Sequence, residues 1–284
     1  MRIAMLQWKN PLLYLLSFVI LIVLVRYAQS KNASEVCNGI DITIESLPEQ
    51  NFITPKQIEH LLSNNDEQVL TGHSLANIDV ELLEQRLYAN PYIKQARVYI
   101  DLNGKIKVKV KQRQPVARVI GEKDSYYIDN EFCKLPLATH YTARVPLITG
   151  SISEKYQESS PNDLLGIIEE RKTDIIIPIK NSAKICSEKL TQLVPLLKEI
   201  MKDLFYQAQI TQIHVLPSGE CELYTLLGDA KIIFGYPMID VEQKLLNLKS
   251  FYKNALRSYG WQQYRTITVK YPRQIVCEKK VQPN

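Results

Sequence analysis

An α+β protein with a single membrane-spanning helix at its start is what the 284-residue sequence predicts. Three observations carry that reading. An uncharged apolar run fills Leu12 to Val25. A strand, helix, helix, strand, strand order follows between residues 40 and 113. Short alternating runs broken by Pro and Gly, with two helical stretches among them, then continue to the end. The expected layout is a tail at 1–10, a transmembrane helix at 11–27 and a linker at 28–39. A β-α-α-β-β domain at 40–113 and a β-rich α+β domain at 114–284, closed by an exposed C-terminal edge strand, complete it.

Hydrophobic residues make up 45% and charged residues 23%, so most of the chain has the material for cores, and its length suits two modest domains. The net charge of +5 is spread along the chain and marks no nucleic-acid surface. Cys37, Cys133, Cys186, Cys221 and Cys277 are odd in number and far apart. They have neither metal-ligand spacing nor a disulfide framework, and a single pair in an oxidising space stays open.

Leu12–Val25 contains no charge and no glycine. Extended to residues 11–27 it is ~25 Å long as a helix, slightly short of a ~30 Å hydrocarbon core. Lys9 and Arg26 can snorkel, and Trp8 and Tyr27 suit the two interfaces, so the span can reach across the bilayer. A cleaved signal peptide shares the basic start and apolar middle. Arg26 directly after the run, and the lack of a small-x-small site, favour an uncleaved anchor. Arg2 and Lys9 before the span nearly balance Arg26 and Lys31 after it, so charge does not orient it.

Ile40–Ile44 alternates and reads as a strand. Thr54-Pro55 starts a helix with Ile58, Leu61 and Leu62 on one face. Asp79 opens a second helix, with Val80, Leu83 and Leu87 aligned, that ends near Asn90-Pro91. Two alternating runs, Ile93–Leu102 and Lys105–Val110, meet at Asn103-Gly104, the dipeptide that a two-residue type I′ turn prefers. Lys105, Lys107, Lys109 and Lys111 share one strand face; a solvated face is the simple reading, and a basic stripe for a partner or lipid headgroups is the alternative.

Tyr126–Asp129, Leu135–Leu137 and Val145–Gly150 follow as extended runs. Ser151–Ser187 has no legible period and reads as an insertion or mobile loop around Glu154–Asn162. Ser187–Tyr206 is helical, with Leu190, Leu193, Val194, Leu197, Ile200, Met201 and Leu204 at three- and four-residue steps. Pro195 is expected to kink it or to split off its first turn. Ile210–Val215 and Cys221–Leu226 form a hairpin around Pro217-Ser218-Gly219, and Ala230–Phe234 adds a strand. Asp240 caps a further helix, with Val241, Leu245, Leu248, Tyr252 and Ala255 on one face and Gly260 past its end.

In the closing stretch, Thr266, Thr268 and Lys270 alternate with Ile267, Val269 and Tyr271. Pro272 breaks the pairing, and Gln274–Cys277 restarts an extended run that ends at Lys279 and Lys280. A last strand with a basic end suits a sheet edge, whose unpaired backbone groups either await a partner's strand or belong to an ordinary closing strand protected by lysines.

Catalytic patterns are missing from the sequence. His60, His73, His140 and His214 are scattered, with no i, i+4 pair. No P-loop or nucleophile elbow occurs, Glu169-Glu170 and Glu81 with Glu84 read as solvated charges, and no cofactor or metal site is expected.

The stretch Asn90-Pro91-Tyr92-Ile93, Ile106–Val110 and Gln114-Pro115-Val116-Ala117 resembles a POTRA domain of the bacterial FtsQ/DivIB division-protein family. Where that family has an acidic residue before the proline, this chain has Lys111-Gln112-Arg113-Gln114. Tyr126–Asp129, Leu135-Pro136-Leu137 and Val145–Gly150 resemble the start of the family's second domain, with Asn130-Glu131 in place of its glycine, and asparagine also tolerates the left-handed backbone. Gly228-Asp229, Phe234-Gly235, Asp240-Val241, Lys244-Leu245, Gly260-Trp261 and Ile267–Pro272 resemble its C-terminal half.

That resemblance implies a non-enzymatic scaffold of the division machinery in the inner membrane. Its N-terminus would be cytoplasmic and its bulk periplasmic, enriched at the septum and anchored in the lipid bilayer through residues 11–27. It implies binding of FtsB-like and FtsL-like single-span coiled-coil proteins by strand addition at Tyr271, Arg273, Gln274, Ile275, Val276, Cys277, Glu278 and Lys279. Lys270 stands where the family has arginine before Tyr271, and Lys279 where some members carry an aromatic. Two other classes remain: a POTRA-bearing envelope assembly factor, which calls for tandem repeats or a barrel, and a membrane-tethered envelope enzyme.

Overall fold

A computed structural model describes residues 15–24, 36–45, 52–63, 70–153, 188–256, 260, 262–271 and 273–280. Residues 15–24 are helical and their side chains exposed. No helix among the described residues is long and apolar enough to cross a membrane, and the rest of the expected 11–27 span lies outside them. The insertion expected around Glu154–Asn162, and Trp261 and Pro272, also lie outside the described residues.

The chain divides into two compact units. The first contains β1 (Ile40–Glu45), α1 (Pro55–Leu62), α2 (Val80–Tyr88), most of β2 (Ile93–Ile100) and most of β3 (Ile106–Gln112). These strands form a three-stranded sheet in the order β1-β3-β2, with β1 parallel to β3. Local chemistry sets the helix starts. The Thr54 hydroxyl accepts from the Gln57 N–H while the Gln57 side chain accepts from the Thr54 N–H, a reciprocal cap. Asp79 accepts from the Leu82 N–H at 3.0 Å. Ile58, Leu62, Leu83 and Leu87 are buried, as their spacing predicts.

The β2–β3 turn is one residue longer than expected. Asp101 and Lys105 close it, and only Gly104 has a positive φ, of 73°. A type I′ pair would need both Asn103 and Gly104 there; the observed loop is Leu102, Asn103 and a left-handed Gly104. The lysine face is open to solvent and partly neutralised, with Lys107 3.5 Å from Asp41 and 3.7 Å from Asp101.

The second unit holds a nine-stranded sheet. Its strands are β4 (Pro115–Ile120), β5 (Ser125–Asp129), β6 (Lys134–Leu135), β7 (Leu147–Gly150), β8 (Ile210–Val215), β9 (Cys221–Thr225), β10 (Lys231–Gly235), β11 (Tyr264–Thr268) and β12 (Val276–Lys279). Their order is β12-β11-β10-β9-β8-β7-β4-β5-β6. Three helices, α3 (Glu188–Lys202), α4 (Leu204–Gln209) and α5 (Val241–Phe251), contribute to one core with the sheet. A row of paired side chains runs through that core from β5 to β12. Tyr126, Val119, Ile148, Ile213, Leu223, Ile232, Ile267 and Cys277 stand in register, and all but Cys277 are buried.

Three local expectations change. Helix α3 continues through Pro195, because Leu193, Leu196 and Leu197 around it are all buried and outweigh the ~3 kcal/mol that a proline costs. The break comes instead at Asp203, which leaves helical geometry and caps α4 by accepting from the Phe205 N–H at 3.0 Å. Leu204 consequently leaves the apolar face and is exposed. Asp240 precedes α5 but makes no side-chain cap, since its left-handed backbone (φ 48°) turns the carboxylate away from the first-turn amides. In the turn after β5 the left-handed residue is Phe132 (φ 61°) rather than Asn130; Asp129 stabilises it by accepting from the N–H groups of Glu131 and Cys133.

Gly150 is required where β7 ends. Its φ is 100°, and a Cβ there would meet the Val215 carbonyl oxygen at 2.1 Å.

Candidate functional site

β11 and β12 are the last pair of the large sheet, and β12 is its outermost strand. They run antiparallel, with Ile267 opposite Cys277, Thr268 opposite Val276 and Thr266 opposite Glu278. The strands are shorter than the sequence predicts. β11 ends at Thr268, although the Val269 N–H still reaches the Ile233 carbonyl at 3.0 Å, and β12 begins only at Val276. The corner between them is therefore wider, and Tyr271, Arg273, Gln274 and Ile275 belong to it rather than to the strand. Arg273 takes a left-handed φ of 65° in this corner. Lys270 passes over Gly235, where a Cβ would stand 2.8 Å from the Lys270 Cβ, and its ammonium lies 3.8 Å from Glu220 and 5.5 Å from the Tyr271 ring.

The expected site residues split by face. Val276 (48% exposed) and Glu278 point with Thr268 and Thr266 to the sheet face away from the helices. There Thr266 donates to the Glu278 carboxylate at 3.0 Å. Ile275 and Cys277 are half-buried and pack on the core cluster. Burial pushes the Cys277 thiol above its usual range, so it stays protonated at neutral pH. Tyr271 (43% exposed), Arg273, Gln274 and Lys279 are exposed. The strand's end is fastened rather than frayed: the Lys280 N–H donates to the Gln263 carbonyl at 2.8 Å, and its ammonium reaches Asp229 at 3.0 Å.

Sequence reading missed what lies beneath this edge. Phe251 is partly buried there, and its ring meets Tyr264 edge-on at 5.6 Å. Neither residue is near β12 in the chain, and only the β11–β12 register sets Tyr264 opposite Lys279. The open face beside the edge carries a polar network. Lys231 lies 2.9 Å from Glu222, Tyr224 donates to the same carboxylate at 3.3 Å, and Gln212 donates to the Thr149 hydroxyl at 2.8 Å. The hydrogen bond to Glu222 raises the Lys231 pKa. These contacts are saturated pairs on a sheet surface, and no cluster of three or more His, Cys, Asp or Glu side chains occurs among the described residues. What the edge offers chemically is backbone: on a terminal strand, roughly half of the N–H and C=O groups face away from the sheet.

Residues 114–278 match the family model described as FtsQ/DivIB, C-terminal related, and residues 35–111 match a POTRA-like domain. No curated protein matches the chain.

Proposed function

Because the chain belongs to the FtsQ/DivIB C-terminal related family and carries a POTRA-like domain before it, we propose that it is a non-catalytic scaffold of the bacterial division machinery that holds its partners by strand addition at β12. The partners in this reading are small single-span coiled-coil proteins of the FtsB and FtsL type. Holding them helps couple septum positioning to cell-wall synthesis. The protein would lie in the inner membrane, spanning it once through residues 11–27, with its N-terminus cytoplasmic and both folded units outside.

The observation that carries this reading is the β12 edge, beside whose outer side no strand lies among the described residues. An extended segment that pairs with it satisfies backbone groups without needing any particular side chain. The arithmetic limits what the ladder alone does. About four outward groups at roughly 0.5–1.5 kcal/mol each contribute ~2–6 kcal/mol, against ~4–15 kcal/mol lost in association. The ladder therefore sets direction and register, and side chains around the edge supply the affinity.

The test is photo-crosslinking from position 276 in the native cell, with the adduct identified by mass spectrometry. A small coiled-coil membrane protein in the adduct supports the scaffold. Crosslinks confined to the chain itself would show that β12 closes the sheet and recruits nothing.

A further inference from the structure

The β2–β3 hairpin of the first unit carries at its tip an apolar side chain that is 99% exposed, Leu102. That tip lies where the chain enters the unit. The Asn38 N–H donates to the Gly104 carbonyl at 2.9 Å, and the Asn38 side-chain amide donates to the Asn103 carbonyl at 3.0 Å. Val36, two residues earlier, is itself 47% exposed. An exposed leucine by itself is ordinary. One at a loop tip, beside the point where the chain arrives from an apolar helix, is placed to meet whatever embeds that helix.

A basic face leads away from the tip. Lys105, Lys107, Lys109 and Lys111 alternate along β3 with the buried Ile106, Val108 and Val110. Arg97 and Tyr99 of β2 are exposed, and the Lys109 ammonium stands 5.7 Å from the centre of the Tyr99 ring, which sets both strands' outward side chains on one face. Near the tip the charge is balanced. Asp41 lies 3.7 Å from Lys105 and 3.5 Å from Lys107, and Asp101 lies 3.7 Å from Lys107. Farther along, Lys109 and Lys111 are exposed, and no ion pair holds either among the described residues, although Glu45 stands opposite Lys111 in register. The far half of the face is thus left with cations that the unit does not neutralise.

We propose that this face is a membrane-surface contact, in which Leu102 enters the headgroup layer of the bilayer that anchors the chain and Arg97, Lys109 and Lys111 lie on anionic phospholipid headgroups. This rests on the single-span anchor of the proposed function and is independent of β12. The chain's own bilayer is the occupant because it is within reach: residues 28–35, between the expected span and Val36, extend no more than roughly 30 Å. A lysine lays its methylenes along an interface while its ammonium meets phosphate, and a tyrosine suits the same layer. Each cation held within a Debye length of an anionic surface, about 10 Å at 0.1 M salt, adds to the attraction. The first unit would then rest on the membrane instead of swinging freely on its linker.

The experiment reconstitutes the full-length chain in vesicles of phosphatidylcholine alone and in vesicles with about 30% phosphatidylglycerol, an anionic lipid. An amine-reactive, membrane-impermeant reagent is applied, and modification of Lys105, Lys109 and Lys111 is read by mass spectrometry against the exposed Lys202 of the same chain. The expected result is several-fold slower modification of Lys109 and Lys111 in the anionic vesicles, reversed at about 0.5 M salt, where the Debye length falls below 5 Å. Leu102→Asp, at a side chain that touches no core, should fold normally and lose most of the protection. Equal modification in the two lipids would overturn the proposal, and so would protection that neither salt nor Leu102→Asp relieves. Release of the chain from both vesicles by alkaline carbonate would remove the anchor itself, and this inference with it.

Discussion

At one end of the large sheet β6 is two residues long and both are buried; at the other, β12 is four residues long and three of them are exposed. The chain covers the β6 edge with its own residues. Phe52, Tyr127, Leu135 and Ala143 form a cluster there with Tyr92, Ala138, Tyr141 and Val145 against it. The Phe52 ring stacks on Tyr92 at 5.2 Å and meets Tyr141 and Tyr127 edge-on at 4.8 and 5.5 Å. Beside this cluster Arg113 and Asp129, almost fully buried, pair at 2.7 Å. On the same sheet face the row Leu135, Tyr127, Arg118, Leu147, Gln212, Tyr224 passes from buried apolar to half-exposed polar residues toward β12. The covered edge has few backbone groups left to pair, whereas β12, beside whose outer side no strand lies among the described residues, has outward groups that the sheet itself does not use.

Four changes would break or sharpen this contrast. The largest effect is expected for Arg113→Ala, which leaves the Asp129 carboxylate buried without its cation; unfolding stability should fall by about 3–5 kcal/mol. Leu135→Ala, which opens a cavity under the covered edge, should cost about 2–5 kcal/mol by the same denaturant titration. A loss below 1 kcal/mol for either would mean that the β6 edge is not held by its cover.

The third change is in pH. Burial pushes the Cys221 thiol up to about 12, while the unfolded chain ionises it near its ordinary value. The folded pKa is the higher one, so this contribution to stability is complete below the ordinary thiol range and is lost as pH rises toward about 12. Tyr252, pushed up to about 12 by burial, acts in the same sense over the upper part of that window. Cys221→Ala should flatten the alkaline slope of unfolding free energy, and an unchanged slope would assign it to other groups. At neutral pH the protonated, buried Cys221 should resist alkylation while the half-buried Cys277 is labelled.

The smallest effect on stability is expected for Val276→Asp. Its side chain lies on the exposed face, so unfolding should shift by no more than about 0.5 kcal/mol while partner capture is lost. Unfolding of the variant would instead make Val276 a core residue and close the edge.

Much of the fold was legible because its signals are local. Thr54-Pro55, the apolar steps of α1 and α2, and the Pro217-Ser218-Gly219 hairpin each depend on neighbours within a few positions. The misreadings share a cause. Pro195 is a strong local breaker that buried leucines on both sides overrule, and Asp240 is a good capping residue in the wrong backbone conformation. The candidate edge was readable as a last strand with a basic end. Its two faces were not, because Cys277 meets Ile267, and Lys279 meets Tyr264, only through pairing register.

The sequence by itself determined the order of elements, the apolar run at the start and the family. Each depends on residue type at short spacing or on the order of short motifs. Among the described residues, tertiary structure alone decided which end of the sheet is covered and which is open. Phe52, Tyr92 and Leu135 meet over β6 across more than eighty positions of chain, and Ile267 meets Cys277 through cross-strand pairing. Burial is a property of the assembled layers, and an edge is open only where no other part of the chain has come to rest on it.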